Sequence, residues 1–138
     1  MINHKLTKSK IVNKVFNDVY DKYDLMNDIM SLGTHRLWKR TLVSWINPRS
    51  NSKVLDVAAG TGDIAKICSK HTSNKCNITC VEPNQKMLGV GKKKLFDYNN
   101  IKWILSPAEK LPFKDNTFDF YVISFGIRNV SDINKSLN

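Results

Sequence analysis

Two carboxylates and a loop of small residues form the part of the chain best suited to chemistry. Residues 53–63 read KVLDVAAGTGD, with Asp56 in the apolar run and Gly60 and Gly62 in the loop. Small side chains let the backbone turn sharply and approach a ligand closely. Apolar residues recur at helical spacing from Ile64, so the loop ends at a helix N-terminus with free backbone N–H groups. This order predicts a cradle for a nucleotide-type cofactor.

The two aspartates of this stretch have different expected roles. Asp56 stands at the end of a buried strand, so it is not a routine core residue. Its carboxylate either accepts hydrogen bonds from loop N–H groups or pairs with a cationic ligand. Asp63 is expected to serve the start of the following helix, by capping it or by charge–dipole attraction.

The spacing of the glycines leaves two cofactor classes open. Gly60-x-Gly62-x-x-Ala65 matches a dinucleotide fingerprint, and Glu82 lies 20 residues past Gly62. An acid at that place would bind ribose hydroxyls in either class. Asp56, four residues before Gly60, instead favours the loop of S-adenosylmethionine-dependent enzymes. The alternative without a cofactor site is an ordinary strand–helix turn with a solvated Glu82.

The elements that position these residues alternate along the chain. The periodicities predict two amphipathic helices, then four strands separated by two helices, which is an α/β chain with a doubly wound parallel sheet. Val54 and Leu55 suit a strand with helices on both faces. The first unit covers 11–30, and its helical pattern runs from Ile11 to Tyr23. The other predicted helices span 37–46, 64–70 and 84–96, and the predicted strands span 53–57, 78–82, 102–105 and 118–125.

Length, composition and charge bound the number of domains, the partners and the location of the protein. The 138 residues suffice for one domain with a core, and their net charge is +10. Lysine dominates and the charge is spread evenly, so we expect no nucleic-acid partner, and weak association with an acidic membrane surface is the better alternative. The run 92–94 is expected to be a solvated helix face. Without an apolar leader or a transmembrane run, the expected location is cytoplasmic.

The cysteines and histidines do not form a recognisable site. Three cysteines, Cys68, Cys76 and Cys80, show no C-x-x-C spacing, and no histidines cluster near them. Reduced and mostly buried thiols are therefore expected, and no metal site is predicted.

Several motifs resemble one family closely. The chain resembles the ubiquinone/menaquinone biosynthesis C-methyltransferases, which have the class I S-adenosylmethionine-dependent fold. The similarity runs from about residue 13 to about residue 133 and is carried by 26–39 (MNDIMSLGTHRLWK), 55–63 (LDVAAGTGD), 108–113 (AEKLPF), 115–119 (DNTFD) and 123–130 (ISFGIRNV).

The resemblance implies S-adenosyl-L-methionine as cofactor and methylation of a ring carbon of a prenylated quinol or benzoquinol. Arg128 follows strand four, where ligands bind in open α/β folds, and is expected to stabilise a phenolate. A guanidinium stays charged, so a water or another side chain is expected to take the proton, and Asn129 is expected to orient such a water. His35 and Tyr23 are weaker candidates for substrate contact.

Cofactor contacts carry over by position. With Asp56, Gly60 and Gly62 in the loop, the remaining residues are placed as follows: Thr61 against the cofactor, Glu82 at its ribose, Pro107 and Ala108 at its adenine, and Ser124 at the end of strand four. Pro107 replaces a usual Asp or Asn and offers neither a side-chain bond nor an N–H. Ala59 replaces a usual glycine, which would matter if this position needs a positive φ. Glu82 for Asp is a mild change.

The end of the chain departs from the family. We expect a helical cap over residues 1–50, followed by a cofactor-binding domain over residues 51–138. Family members continue beyond the position of Asn138, so this domain is expected to be partial and to lack the C-terminal strands. The strand order 3-2-1-4 would leave 120–125 as an apolar, aggregation-prone edge. A truncated or split member, weakly active alone and completed by a C-terminal polypeptide, is the resulting expectation.

Two further functions stay open at this point. One is a non-catalytic remnant that still binds the cofactor or a partner chain. The other is a fragment of an NAD-binding oxidoreductase, which the loop spacing alone would permit.

Overall fold

A computed structural model of the chain describes residues 10–12, 14–15, 17–18, 29–30 and 33–138. The described positions between 10 and 18, and residues 29–30, are helical. Most of the first predicted unit over 11–30, including Tyr23 at the end of its helical pattern, lies outside the described residues.

The remaining elements follow the predicted alternation of helices and strands. They are α1 (Thr34–Ile46), β1 (Lys53–Val57), α2 (Asp63–His71), β2 (Asn77–Glu82), α3 (Gln85–Lys94), β3 (Ile101–Leu105), β4 (Phe120–Ile123), a 3-10 turn (Ile127–Asn129) and α4 (Ile133–Leu137). The predicted domain boundary after residue 50 falls in the connection between α1 and β1. In the part of the chain described, no helix is long and apolar enough to cross a membrane.

The four strands form one parallel sheet in the order β3-β2-β1-β4, which confirms the α/β class and the predicted strand order. β1 is central and pairs Asp56 with Cys80 on one side and with Val122 on the other. Since all strands run the same way, their carboxyl ends share one edge of the sheet, and the segment after each strand lies near the others there.

Side chains alternate between the two faces of the sheet. On the first face Val54, Ile78 and Val122 join α1 and α2 residues such as Val43 and Ile64 in a buried cluster. All three cysteines are buried and unpaired, and Cys68, Cys76 and Cys80 belong to this cluster, as expected for core thiols.

The second face is covered differently from the sequence expectation. Its buried cluster includes Leu55, Val57 and Val81, and the segment between β3 and β4 packs against them. That segment, residues 106–119, contains no helix. Two prolines, at 107 and 112, remove backbone donors and prevent a regular helix, yet its apolar side chains still exclude water.

β4 is shorter than the predicted strand over 118–125. It ends at Ile123, and Phe125 adopts a left-handed backbone (φ 61°) that strand pairing does not accommodate. β4 lies at one side of the described sheet. Its Tyr121 hydroxyl donates a 2.6 Å hydrogen bond to the backbone carbonyl of Ser136 in α4.

α3 begins with a side-chain cap and packs through a glycine. The Asn84 side-chain oxygen accepts the backbone N–H groups of Lys86 and Met87, both at 3.0 Å. Further along, a β-carbon added at Gly91 would stand 2.2 Å from the Trp103 ring, whereas one at Gly89 would meet nothing within 4 Å. The closeness of α3 to β3 therefore depends on Gly91.

The two glycines give a matched test of this packing. We expect Gly91→Ala to lower the free energy of unfolding by about 1–3 kcal/mol, because the tryptophan must move. Gly89→Ala should raise it by about 0.5–1 kcal/mol, through helix propensity alone. Urea denaturation of both variants measures the difference, and equal effects would contradict the close contact.

Candidate active site

The loop between β1 and α2 has the tight backbone that its small residues predict. Ala58, Gly60 and Gly62 have positive φ values of 52°, 60° and 86°. Ala59 is not among the left-handed residues, so the alanine that replaces a usual glycine there brings no backbone strain. Its N–H donates to the Val81 carbonyl at 3.1 Å, which ties the loop to the end of β2.

Glu82 fastens the loop from the end of β2. One carboxylate oxygen accepts the Gly60 N–H at 2.8 Å, and the other accepts the Asn84 N–H at 2.9 Å. Burial raises the pKa of Glu82, while these two N–H donors lower it. Only 5% of the residue is exposed, so the solvated alternative for Glu82 is wrong.

Asp56 is a buried acid with one oxygen uncompensated. The residue is 1% exposed, and its Oδ2 atom has no hydrogen-bond partner. Burial raises the pKa of Asp56 to about 7, against the opposing effects of a hydrogen bond with the Ala65 backbone and the charge of Lys39. Two roles are predicted for Asp56: hydrogen bonding to backbone N–H groups and pairing with a cationic ligand. The backbone hydrogen bond with Ala65 satisfies only part of the carboxylate, because Oδ2 has no partner.

Asp63 joins three helices. It opens α2, and its carboxylate binds Lys39 of α1 at 2.7 Å and Lys94 of α3 at 2.6 Å. Burial alone would raise the pKa of Asp63, but the two lysines outweigh it and hold the pKa at about 2. No side chain caps α2, so Asp63 serves the helix start by its charge and position, and the capping alternative is wrong.

A first cleft opens at the carboxyl edge, between the ends of β1 and β2 and the segment after β3. It brings together five of the predicted cofactor residues, which lie on four different segments of the chain. They are Gly60, Glu82, Pro107, Ala108 and Ser124.

A second cleft adjoins the first and shares Ala58, Gly60, Ser124 and Asn129 with it. It contains Asp56, Thr61 and Arg128 from the prediction. Gly62 is not among the lining residues of either cleft. A β-carbon there would meet Leu95 and Trp103 at 2.7–2.9 Å, so this glycine serves helix packing.

The residues predicted for catalysis lie where the two clefts meet. Arg128 is exposed in the 3-10 turn after β4 and lines the second cleft, and Asn129 lines both. His35, at the start of α1, is buried and also borders the second cleft. The ring of Trp38 stacks on that of Phe125 at 5.8 Å there, and both rings remain partly exposed.

The lining residues of the first cleft that the sequence did not mark as site residues include Asn84, Met87 and Glu109. Asn84 follows Pro83 directly before a helix, a pattern that could have marked it as a cap close to the sheet edge. Glu109 accepts the N–H groups of Ser131 and Asp132 at 2.6 and 3.2 Å, a contact between distant segments that no local signal announces.

The fold and the loop together define a class. A parallel sheet with flanking helices and a glycine loop at its carboxyl edge is the Rossmann-like fold of class I S-adenosylmethionine-dependent methyltransferases. A profile of the ubiE/COQ5 methyltransferase family matches residues 3–138, and the chain belongs to this family.

Curated relatives with high sequence identity carry names of the same family. The chain is 52% identical over 136 residues to the ubiquinone/menaquinone biosynthesis C-methyltransferase UbiE of Rickettsia prowazekii, across 94% of this chain and 54% of that protein. The corresponding protein of Rickettsia bellii is 53% identical, with the same coverage. The chain therefore spans about half the length of the curated relatives it matches.

Solved structures support the fold. A SAM-dependent methyltransferase of Aquifex aeolicus superposes with a TM-score of 0.65 at 24% identity, over 72% of this chain and 54% of that one. The cyclase SpnF superposes with a TM-score of 0.67 at 17% identity, over 74% and 38%. Because one neighbour is a cyclase, the fold alone does not determine the reaction.

The raised pKa of Asp56 makes stability depend on pH. Well below the ordinary pKa of 3.8 the acid is neutral in both the folded and the unfolded state. As pH rises towards 7 only the unfolded state ionises, so the folded chain should lose about 1.4 kcal/mol per pH unit and then level off. Asp56→Asn removes this loss, and its advantage over the natural chain should grow between pH 4 and 7.

Denaturant unfolding of both chains at pH 5, 6, 7 and 8 measures this. Asp97→Asn, which changes an exposed acid, is the control and should follow the natural chain at every pH. Parallel stability curves for Asp56→Asn and the natural chain would contradict the buried, uncompensated carboxylate.

Proposed function

We propose that this site binds S-adenosyl-L-methionine and supports C-methylation of a prenylated quinol ring, either demethylmenaquinone or a methoxy-benzoquinol. The observation that carries the proposal is the meeting of two clefts at Gly60, one bordered by Glu82 and the other by Asp56 and Arg128. The names of the 52–53% identical relatives support the quinone pathway.

The residues present fit this cofactor. Glu82 and Asn84 border the first cleft and offer oxygen atoms suited to ribose hydroxyls, while Ala108 and Met87 give an apolar wall for an adenine. In the second cleft the unpartnered Oδ2 atom of Asp56 suits a cationic group. The exposed Pro107 contributes only apolar surface, so adenine recognition there depends on shape.

The chain's own residues account for the acid–base part of the reaction. The cofactor supplies a methyl group already activated by its sulfonium, so the main task of the protein is alignment with the ring carbon. The Arg128 guanidinium stabilises the negative charge that appears when a substrate hydroxyl loses its proton. That proton goes to a water held by Asn129, because a guanidinium cannot accept it.

The second cleft also suits an apolar substrate. Trp38 and Phe125 stack at its border, and Ile64 and Met30 line it as well. Flat rings and flexible methionine side chains favour contact with an aromatic ring and an isoprenoid tail. We further propose that the chain works in the cytoplasm beside a membrane, where reduced Cys68, Cys76 and Cys80 are stable.

Cofactor choice and the role of Arg128 can be tested separately. Calorimetry should detect S-adenosylmethionine and no NAD. Arg128→Ala should lower methyl transfer to a demethylquinol about 100-fold or more, with the cofactor Kd within about threefold, because this cation acts on the substrate. Arg49→Ala, at an exposed arginine outside both clefts, is the control.

Each outcome has a defined meaning. Binding of NAD alone would replace the proposal with an oxidoreductase fragment. Tight S-adenosylmethionine binding without methyl transfer, even after the sheet is completed as described below, would indicate a cofactor-binding remnant.

A second polypeptide is the proposed partner of β4. In the described sheet this strand pairs only with β1, so its outer backbone groups can accept another strand. We expect the portion of the Rickettsia prowazekii relative that this chain does not match to pair there and to raise methyl transfer at least tenfold. Outward-facing amides of β4 should then exchange more slowly with deuterium. Full turnover by the chain alone, unchanged by the added polypeptide, would contradict this partner.

A further inference from the structure

A third concavity lies between α1 and α2, beside the second cleft, with which it shares His35, Lys39 and Asp63, and we call it the cationic groove. Its charged lining consists of six cations and one carboxylate, so it concentrates five of the ten net positive charges of the chain. The six cations are Arg36, Lys39 and Arg40 of α1, Lys66 and Lys70 of α2, and Lys94 of α3.

Helix geometry explains why the groove exists. Arg36 and Arg40 are four residues apart, as are Lys66 and Lys70, so each pair lies on one side of its helix. α1 and α2 pack against each other, which turns the two pairs towards the same space. The charge is therefore even along the sequence but concentrated in the fold.

The groove has a fixed floor and an incomplete charge balance. Lys39 is only 8% exposed and Val43 only 1%, so its base is part of the folded core. Asp63 compensates Lys39 and Lys94. Arg40, Lys66 and Lys70 have no carboxylate within ion-pair distance among the residues described. Like charges held this close repel one another, and a bound anion would relieve that cost.

We propose that the cationic groove is a binding site for a phosphate-bearing anion. A phosphate group offers several acceptor oxygens and up to two negative charges, which suits guanidinium and ammonium donors on facing helices. A free phosphate compound and a lipid headgroup share this chemistry. Arg40, Lys66 and Lys70 line neither cleft, so these three cations can be changed without altering the lining of the proposed methyl-transfer site.

The test compares two triple variants that lose the same charge. The first is Arg40→Gln, Lys66→Gln, Lys70→Gln. The control is Lys92→Gln, Lys93→Gln, Lys102→Gln, at exposed lysines outside the groove. Inorganic pyrophosphate should raise the Tm of the natural chain and of the control more than sodium chloride at equal ionic strength. The groove variant should bind pyrophosphate at least tenfold more weakly in calorimetry while keeping its helical circular dichroism.

A vesicle arm identifies the source of the phosphate. Sedimentation with vesicles of phosphatidylcholine, with and without phosphatidylglycerol, tests lipid headgroups with the same three proteins. Loss of binding that is confined to the groove variant supports the site. If pyrophosphate binding is lost, the ligand is a soluble phosphate compound; if binding to the anionic vesicles is lost, the ligand is a lipid headgroup. Equal weakening of both triple variants, or no binding in either arm, would overturn the proposal.

Discussion

The arrangement of the site depends on the Glu82 carboxylate and the two backbone N–H groups it accepts. One belongs to Gly60 in the glycine loop and the other to Asn84 at the start of α3. Through them a single buried side chain fixes the loop after β1, the end of β2 and the cap of α3 relative to one another. Gly60 lines both clefts, so the Glu82 carboxylate fixes part of the wall that they share. The acid that sequence spacing assigns to a ribose also has a structural role in the fold.

Close packing fixes the position of the loop between β1 and α2. Gly126, after β4, stands so near the loop that an added β-carbon would lie 2.4 Å from that of Ala58. Ala58 itself has a left-handed backbone. The loop is thus held by β2 through hydrogen bonds and by the segment after β4 through contact. The same segment carries Arg128 and Asn129, which ties the position of the charged groups to that of the loop.

Local signals predicted much of this molecule, and distant contacts account for what they missed. Strand β1, the loop and α2 follow from apolar periodicity and small residues, and the parallel order follows from the alternation of elements. The early end of β4 depends on the backbone of Phe125, which composition does not reveal. The cationic groove was missed because Arg40 and Lys70 lie far apart in sequence and meet only when two helices pack. The structure also decided the question about Ala59, since the left-handed position is its neighbour.

Burial of the three cysteines has a consequence for the proposed binding of a sulfonium cofactor. A sulfonium methyl is an alkylating agent, and a thiolate is the strongest nucleophile that side chains provide. Cys80 is the register neighbour of Asp56, one strand from the loop. Burial raises its pKa far above the ordinary value and raises that of Cys68 to about 12, so both sulfurs stay protonated. With the proposed cofactor bound beside β1, the core would therefore keep these two thiols from becoming methyl acceptors.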